Sequence, residues 1–157
     1  MRLVAARADA GSTGAGRARR VIDDWRWDMA LDTLQSVLVV DDFRTMTAII
    51  TKLLREVGFA DVDNAPDGNK ALDSLRAKNY AVVISDWEMK PMSGPDLVKA
   101  IRLLPGRAGT RIILTTAYKF SADVTKRANA DGYLMKPFAV AALRDKIEDV
   151  LSRPAAK

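Results

Sequence analysis

Short, wholly apolar runs alternate along this chain with stretches whose apolar residues recur at helical spacing. Val37-Leu38-Val39-Val40 is the first run and stops abruptly at Asp41-Asp42. Met46, Ile49, Ile50, Leu53, Leu54 and Val57 follow at helical intervals and give way to Gly58, which predicts an amphipathic helix with a glycine stop. A weaker strand is expected over Asp61–Asn64, then a helix over Asp67–Ala77. Ala81-Val82-Val83-Ile84 is the next buried run and ends at Ser85-Asp86. Pro95 is expected to begin a helix carrying Leu97, Val98, Ile101 and Leu104, because proline suits a first helical turn. Arg111-Ile112-Ile113-Leu114 and Tyr133-Leu134-Met135 read as the last two strands. A final helix carries Leu143, Ile147, Val150 and Leu151.

Five strands alternating with five helices predict an α/β fold with a parallel sheet covered on both faces. A strand with one face in water would instead alternate apolar and polar residues. Ligands of such sheets bind beyond the carboxyl ends of the strands, so function is sought there. Those ends read Asp41-Asp42, Asp86, Thr115-Thr116 and Lys136-Pro137. Three carboxylates converging on one sheet edge repel one another, and a hard divalent cation relieves the conflict. Magnesium suits this setting, since it takes a few carboxylates together with water and phosphate oxygens. A hydroxyl and an ammonium beside it suit a phosphoryl group, whose transfer needs in-line positioning and charge neutralisation. A carboxylate can itself be the phosphoryl acceptor. Taken singly, each residue has an ordinary reading: strand-end Asp and Thr are common in turns, and a strand-end Lys is usually solvated. Their joint placement after the first, third, fourth and fifth strands points to a site.

Composition narrows the chemistry. The 157 residues, 48% hydrophobic and 29% charged, suit one globular domain. There is no apolar run long enough to span a membrane, no signal-peptide block and no cysteine, so a cytoplasmic chain is expected. The absence of histidine excludes Ser-His-Asp and Cys-His catalysis and histidine zinc sites. Any metal is therefore held by oxygen, and any phosphohistidine comes from another protein. Residues 1–20 hold Arg2, Arg7, Arg17, Arg19 and Arg20 against Asp9 alone, which is +4 of the formal +5 and leaves the rest at +1. The basicity belongs to this tail, so nucleic acid is not an expected partner of the folded part. Residues 1–34 read as an N-terminal extension. Residues 1–20 are expected to be disordered, and 21–34 could form a short helix through Val21, Ile22, Trp25 and Met29. The alternative is a non-native stretch upstream of a true start at Met29.

From Val37 to Leu151 the chain resembles the receiver domains of two-component response regulators, in particular stand-alone CheY-like regulators. The resemblance rests on Val39-Val40-Asp41-Asp42-Phe43, Ile84-Ser85-Asp86-Trp87, Thr116-Ala117 and Gly132-Tyr133-Leu134-Met135-Lys136-Pro137-Phe138. It implies a (βα)5 flavodoxin-like three-layer sandwich with strand order 2-1-3-4-5, a receiver domain over 35–153 and no output domain after it. It further implies that Asp86 accepts a phosphoryl group from a histidine kinase. Asp42, Asp86 and the backbone carbonyl of Glu88 would bind Mg2+ directly, with Asp41 acting mostly through water. Thr116 and Lys136 would contact phosphoryl oxygens, and the Lys136–Pro137 bond would be cis. Tyr133 would turn inward as Thr116 moves, remaking the face of strands 4 and 5 and the last helix that a downstream protein reads. No enzymatic activity is implied beyond promoting its own phosphorylation and dephosphorylation, with Glu88 and Tyr118 flanking the approach of water. The implied output is chemotaxis or motility control.

Two features depart from the family pattern. In Met89-Lys90-Pro91 the proline comes one residue late, with Gly94 still present to close the turn. The stretch from Thr116 to Lys136 is also slightly short. It carries Lys119, Lys126 and Arg127. Competing readings are a haloacid dehalogenase-type phosphatase and a receiver-fold binding module. The first wants Asp-x-Asp after its first strand, where Phe43 stands instead. The second would recognise another ligand, such as a cyclic dinucleotide, through basic residues. DNA binding through residues 1–20 is a further option.

Overall fold

Each apolar run is a strand in this computed structural model, which describes residues 32–154, and the first, third and fourth strands are covered on both sides. The strands are β1 (Val37–Val40), β2 (Val62–Ala65), β3 (Val82–Asp86), β4 (Arg111–Thr116) and β5 (Gly132–Met135). They alternate with α1 (Arg44–Val57), α2 (Gly68–Ala77), α3 (Gly94–Leu103), α4 (Ala122–Ala128) and α5 (Val140–Ser152). All pairings are parallel and the order is β2-β1-β3-β4-β5, the flavodoxin-like arrangement expected.

Strand residues alternate between two cores. Leu38, Val40, Val83, Ile112 and Leu114 pack with Leu75 of α2 and Leu97 and Ile101 of α3. The intervening Val37, Val39, Ile84 and Ile113 are equally buried, as are Ile50 and Leu54 of α1 and Leu143, Ile147 and Val150 of α5. Each such Leu or Ile contributes about 1.5–3 kcal/mol of burial energy, so the two cores hold the sheet rigid beneath its loops.

Helix boundaries follow local chemistry. The Asp67 carboxylate caps α2 by accepting the Lys70 N–H at 2.8 Å. The Ser93 hydroxyl caps α3 at 3.2 Å, so that helix starts at Gly94, one residue before the expected Pro95. Gly58, at φ 123°, closes α1 by donating to the Leu54 and Arg55 carbonyls. β2 lies one residue later than expected, while β3 and β4 reach Asp86 and Thr116 because the ladder pairs Asp86 with Thr115 and Thr116 with Met135. At the opposite end of the sheet Arg102 donates to Asp131 at 2.8 Å, and the same Asp131 oxygen accepts the Ile112 N–H at 2.7 Å. This pair ties the end of α3 to the starts of β4 and β5.

The reading of residues 1–34 falls outside the described residues except for its end, where Thr33 and Leu34 lie in a turn. Among the described residues no helix is long and apolar enough to cross a membrane.

Candidate functional site

Because every strand is parallel, the carboxyl ends of β1, β3, β4 and β5 open side by side at one edge of the sheet. Asp41 follows β1 and is 2% exposed. One of its oxygens accepts the Phe43 N–H at 2.9 Å, and the other accepts from Lys136 Nζ at 3.2 Å. Asp86 is the last residue of β3, and its Oδ1 accepts from the same ammonium at 3.0 Å. Asp42 is exposed. One oxygen from each of Asp41, Asp42 and Asp86 lies within 4.8 Å of the other two.

Lys136 reaches this point because its N–H extends the β4–β5 ladder to the Thr116 carbonyl at 2.7 Å. Its bond to Pro137 is cis, as is the Lys90–Pro91 bond. One ammonium thus bonds two carboxylates of a cluster of three. Burial pushes the Asp86 carboxyl above its ordinary range; the bond and charge of Lys136 oppose that rise, and Asp41 adds to it. Burial alone would lower Lys136, but the hydrogen bond and charge of Asp86, with those of Asp41, outweigh it and hold the ammonium above its usual value.

The donor set fits a hard cation. It is all oxygen and carries excess negative charge. Ligands on one Mg2+ at about 2.1 Å lie at most about 4.2 Å apart, so a small closure of the cluster suffices. The Glu88 carboxylate is exposed and outside the cluster, which leaves its backbone carbonyl as the contribution implied by the family resemblance.

The loop after Asp86 is held at both ends. The Trp87 N–H donates to the Thr115 carbonyl at 2.8 Å, and the Gly94 N–H donates to the Trp87 carbonyl at 2.8 Å. A Cβ on Gly94 would stand 2.4 Å from the Asp86 carbonyl oxygen and 2.9 Å from Trp87 Cα. Close approach of backbone to backbone therefore demands glycine here.

The Thr116 hydroxyl is buried and engaged by its own loop. It accepts the Tyr118 N–H at 3.0 Å and donates to the Tyr118 carbonyl at 3.2 Å. Thr115 is a fully buried strand residue. Tyr133 is half-buried, its hydroxyl donating to the Thr125 carbonyl in α4, and burial pushes its phenol up. Its ring lies 6.3 Å from that of Trp87, which packs on Phe120 at 4.4 Å. The sequence reading missed Phe120. Its only signal is a second aromatic residue, after Tyr118, in the short loop between β4 and α4.

Comparison with known proteins agrees with this geometry. Residues 37–148 match the response regulator receiver domain. The chain is 37% identical over 119 residues to the chemotaxis protein CheY of Pseudomonas aeruginosa, covering 74% of this chain and 96% of that one. A structure of Vibrio cholerae chemotaxis protein CheY4 matches with TM-score 0.70 and 30% identity, over 75% of this chain and 99% of the other. The response regulator TrrA of Thermotoga maritima, solved in complex with Mg2+ and BeF, matches with TM-score 0.66 and 34% identity, over 75% and 100%. The chain belongs to the response regulator receiver domain family.

Proposed function

We propose that this receiver domain accepts a phosphoryl group on Asp86 from a phosphohistidine of a sensor kinase and thereby changes the surface it shows to a downstream protein. The observation that carries this reading is Lys136, which bridges Asp86 and Asp41 beside the three-carboxylate cluster. An Asp86 oxygen attacks phosphorus, the new O–P bond forms as the P–N bond breaks, and the imidazole leaves on the partner. Lys136 then passes from the carboxylate to a phosphoryl oxygen. Asp42, Asp86 and the Glu88 carbonyl would hold Mg2+, with Asp41 behind them; when bound, the ion neutralises charge on the phosphoryl oxygens.

Thr116 supplies the link to the surface. Its one donated bond, to the Tyr118 carbonyl, is worth about 1 kcal/mol, and the same proton given to a charged phosphoryl oxygen makes a bond about twice as strong. The exchange draws the start of the β4–α4 loop toward Asp86. Tyr133 then gives up the Thr125 carbonyl and turns inward, which remakes the face of β4, β5 and α5 around the exposed Met135. The downstream protein binds that face. In keeping with the named relatives, the output is chemotaxis or motility control in the cytoplasm. The protein acts as a switch, and its only catalysis is on its own Asp86.

Incubation with magnesium and acetyl phosphate, followed by intact mass measurement, tests the acceptor. Wild type should gain one phosphoryl group and Asp86→Asn none. A gain that persists in Asp86→Asn overturns the assignment.

A further inference from the structure

A second concave site, of about 700 Å3, lies at the same edge of the sheet beside the acid cluster, between α1 and the carboxyl end of β2. One stripe of α1 lines it through Arg44, Thr51, Lys52 and Arg55, while Ile50 and Leu54 of the same helix face the core. Some cations of this fold are tied to carboxylates: Lys78 bonds Asp61 and Asp63 at 2.8 and 2.9 Å, and Arg102 bonds Asp131. Among the described residues Arg44, Lys52 and Arg55 enter no ion pair. Arg44 also opens the helix, where the backbone dipole disfavours a cation, and the first turn holds no acid to offset it. Its groove neighbour Asp41 is already bonded to Phe43 and Lys136.

The rest of the groove is equally specific. Ala48, Ala65 and Pro66 supply small apolar surface. The Thr51 hydroxyl donates to Asn64 Oδ1 at 3.0 Å, which leaves both amide protons of Asn64 to donate elsewhere. Arg44 to Arg55 spans about 16 Å of helix, and the volume lies in the range of small-molecule sites. Parallel α/β sheets bind ligands at this edge.

We propose that the groove binds a phosphate-bearing ligand of nucleotide size, with its phosphates on Lys52 and Arg55 and its ring against Ala48, Ala65 and Pro66. Arg44 closes the end nearest the acid cluster. This site excludes Asp86 and meets the acid cluster only at Asp41, on its edge, so its ligand does not need the phosphoryl acceptor.

Calorimetric titration of the full chain with ATP in EDTA, and in parallel with tripolyphosphate, tests the assignment. One saturable site is expected, weakened at least about tenfold in a Lys52→Ala, Arg55→Ala double variant. Lys70→Ala, outside the groove, and Asp86→Asn should bind as wild type does. An unchanged magnesium response of Trp87 fluorescence in the double variant shows that its fold is intact. Tighter binding of ATP than of tripolyphosphate supports the ring contact; equal binding overturns the nucleotide-sized assignment. No saturation at millimolar ATP, or equal weakening by Lys70→Ala or Asp86→Asn, overturns the site itself.

Discussion

Replacing Asp42 by asparagine should stabilise the metal-free protein. Asp42 is exposed and, among the described residues, makes no hydrogen bond or ion pair that the substitution would remove. It does place a third negative charge within 4.8 Å of Asp41 and Asp86, where Lys136 is the one cation that bonds the cluster among the described residues. Two unit charges at that separation repel by about 3.5 kcal/mol at an effective dielectric of about 20. Exposure and counterions reduce each pair to about 1 kcal/mol, and the attraction of Lys136 offsets part of the remainder. The net gain is about 1 kcal/mol, or about 3–6 °C in Tm for a domain of this size. Magnesium should invert the order. Wild type gains about 2.7 kcal/mol when the ion is at a hundred times its Kd, whereas the asparagine variant binds more weakly and gains less. Urea denaturation in EDTA and again in excess magnesium measures both halves. Asp86→Asn should shift in the same direction but by less, because Asp86 also loses part of its bond to Lys136. An Asp42→Asn protein clearly less stable than wild type in EDTA, or one keeping its rank in magnesium, would refute the reasoning.

Three other changes probe the surrounding structure. Lys136→Met leaves Asp41 and Asp86 without a cation and should cost about 2–4 kcal/mol in EDTA; added magnesium should restore most of it, and thermal melts in both conditions check this. Gly94→Ala pushes a methyl group into the Asp86 carbonyl. It should cost about 1–3 kcal/mol and weaken magnesium binding, which Trp87 fluorescence would report; unaltered affinity would contradict the role given to this close approach. Tyr80→Phe removes a 2.6 Å hydrogen bond to Asp63, worth about 1 kcal/mol at neutral pH. Burial first, and then Asp63, raise the Tyr80 phenol from 10.0 to about 12. A raised folded-state value means that its contribution is complete below about pH 10 and is lost as pH climbs to about 12. Wild type should therefore lose stability across that window faster than the Phe variant, as urea midpoints at stepped pH would show.

The sheet was legible because its strands are covered on both faces, so Val37–Val40 and Val82–Ile84 stand out as unbroken apolar runs. β2 was placed one residue early because only Val62 and Ala65 in it are apolar, an edge strand with little to bury. Pro95 drew the start of α3 one residue late, since the capping role of Ser93 depends on a backbone bend that composition does not reveal. The carboxylates, Thr116 and Lys136 were legible through their common position at strand ends. Their contacts were not: Lys136 bonds Asp41 across 95 positions of chain, and Thr116 spends its hydroxyl on Tyr118. The polar stripe of α1 carries no signal of a groove in the sequence, because only the fold sets it against the end of β2.

Fluorescence of Trp87 during addition of magnesium and beryllofluoride tests the central claim most directly. Trp87 adjoins Asp86 and packs on Phe120, while Trp25 and Trp27 lie far from the acceptor in sequence and supply background. A saturable change is predicted when both reagents are present, and none of that size in Asp86→Asn. An unresponsive wild type, or an equal response in Asp86→Asn, would contradict phosphoryl acceptance at this site.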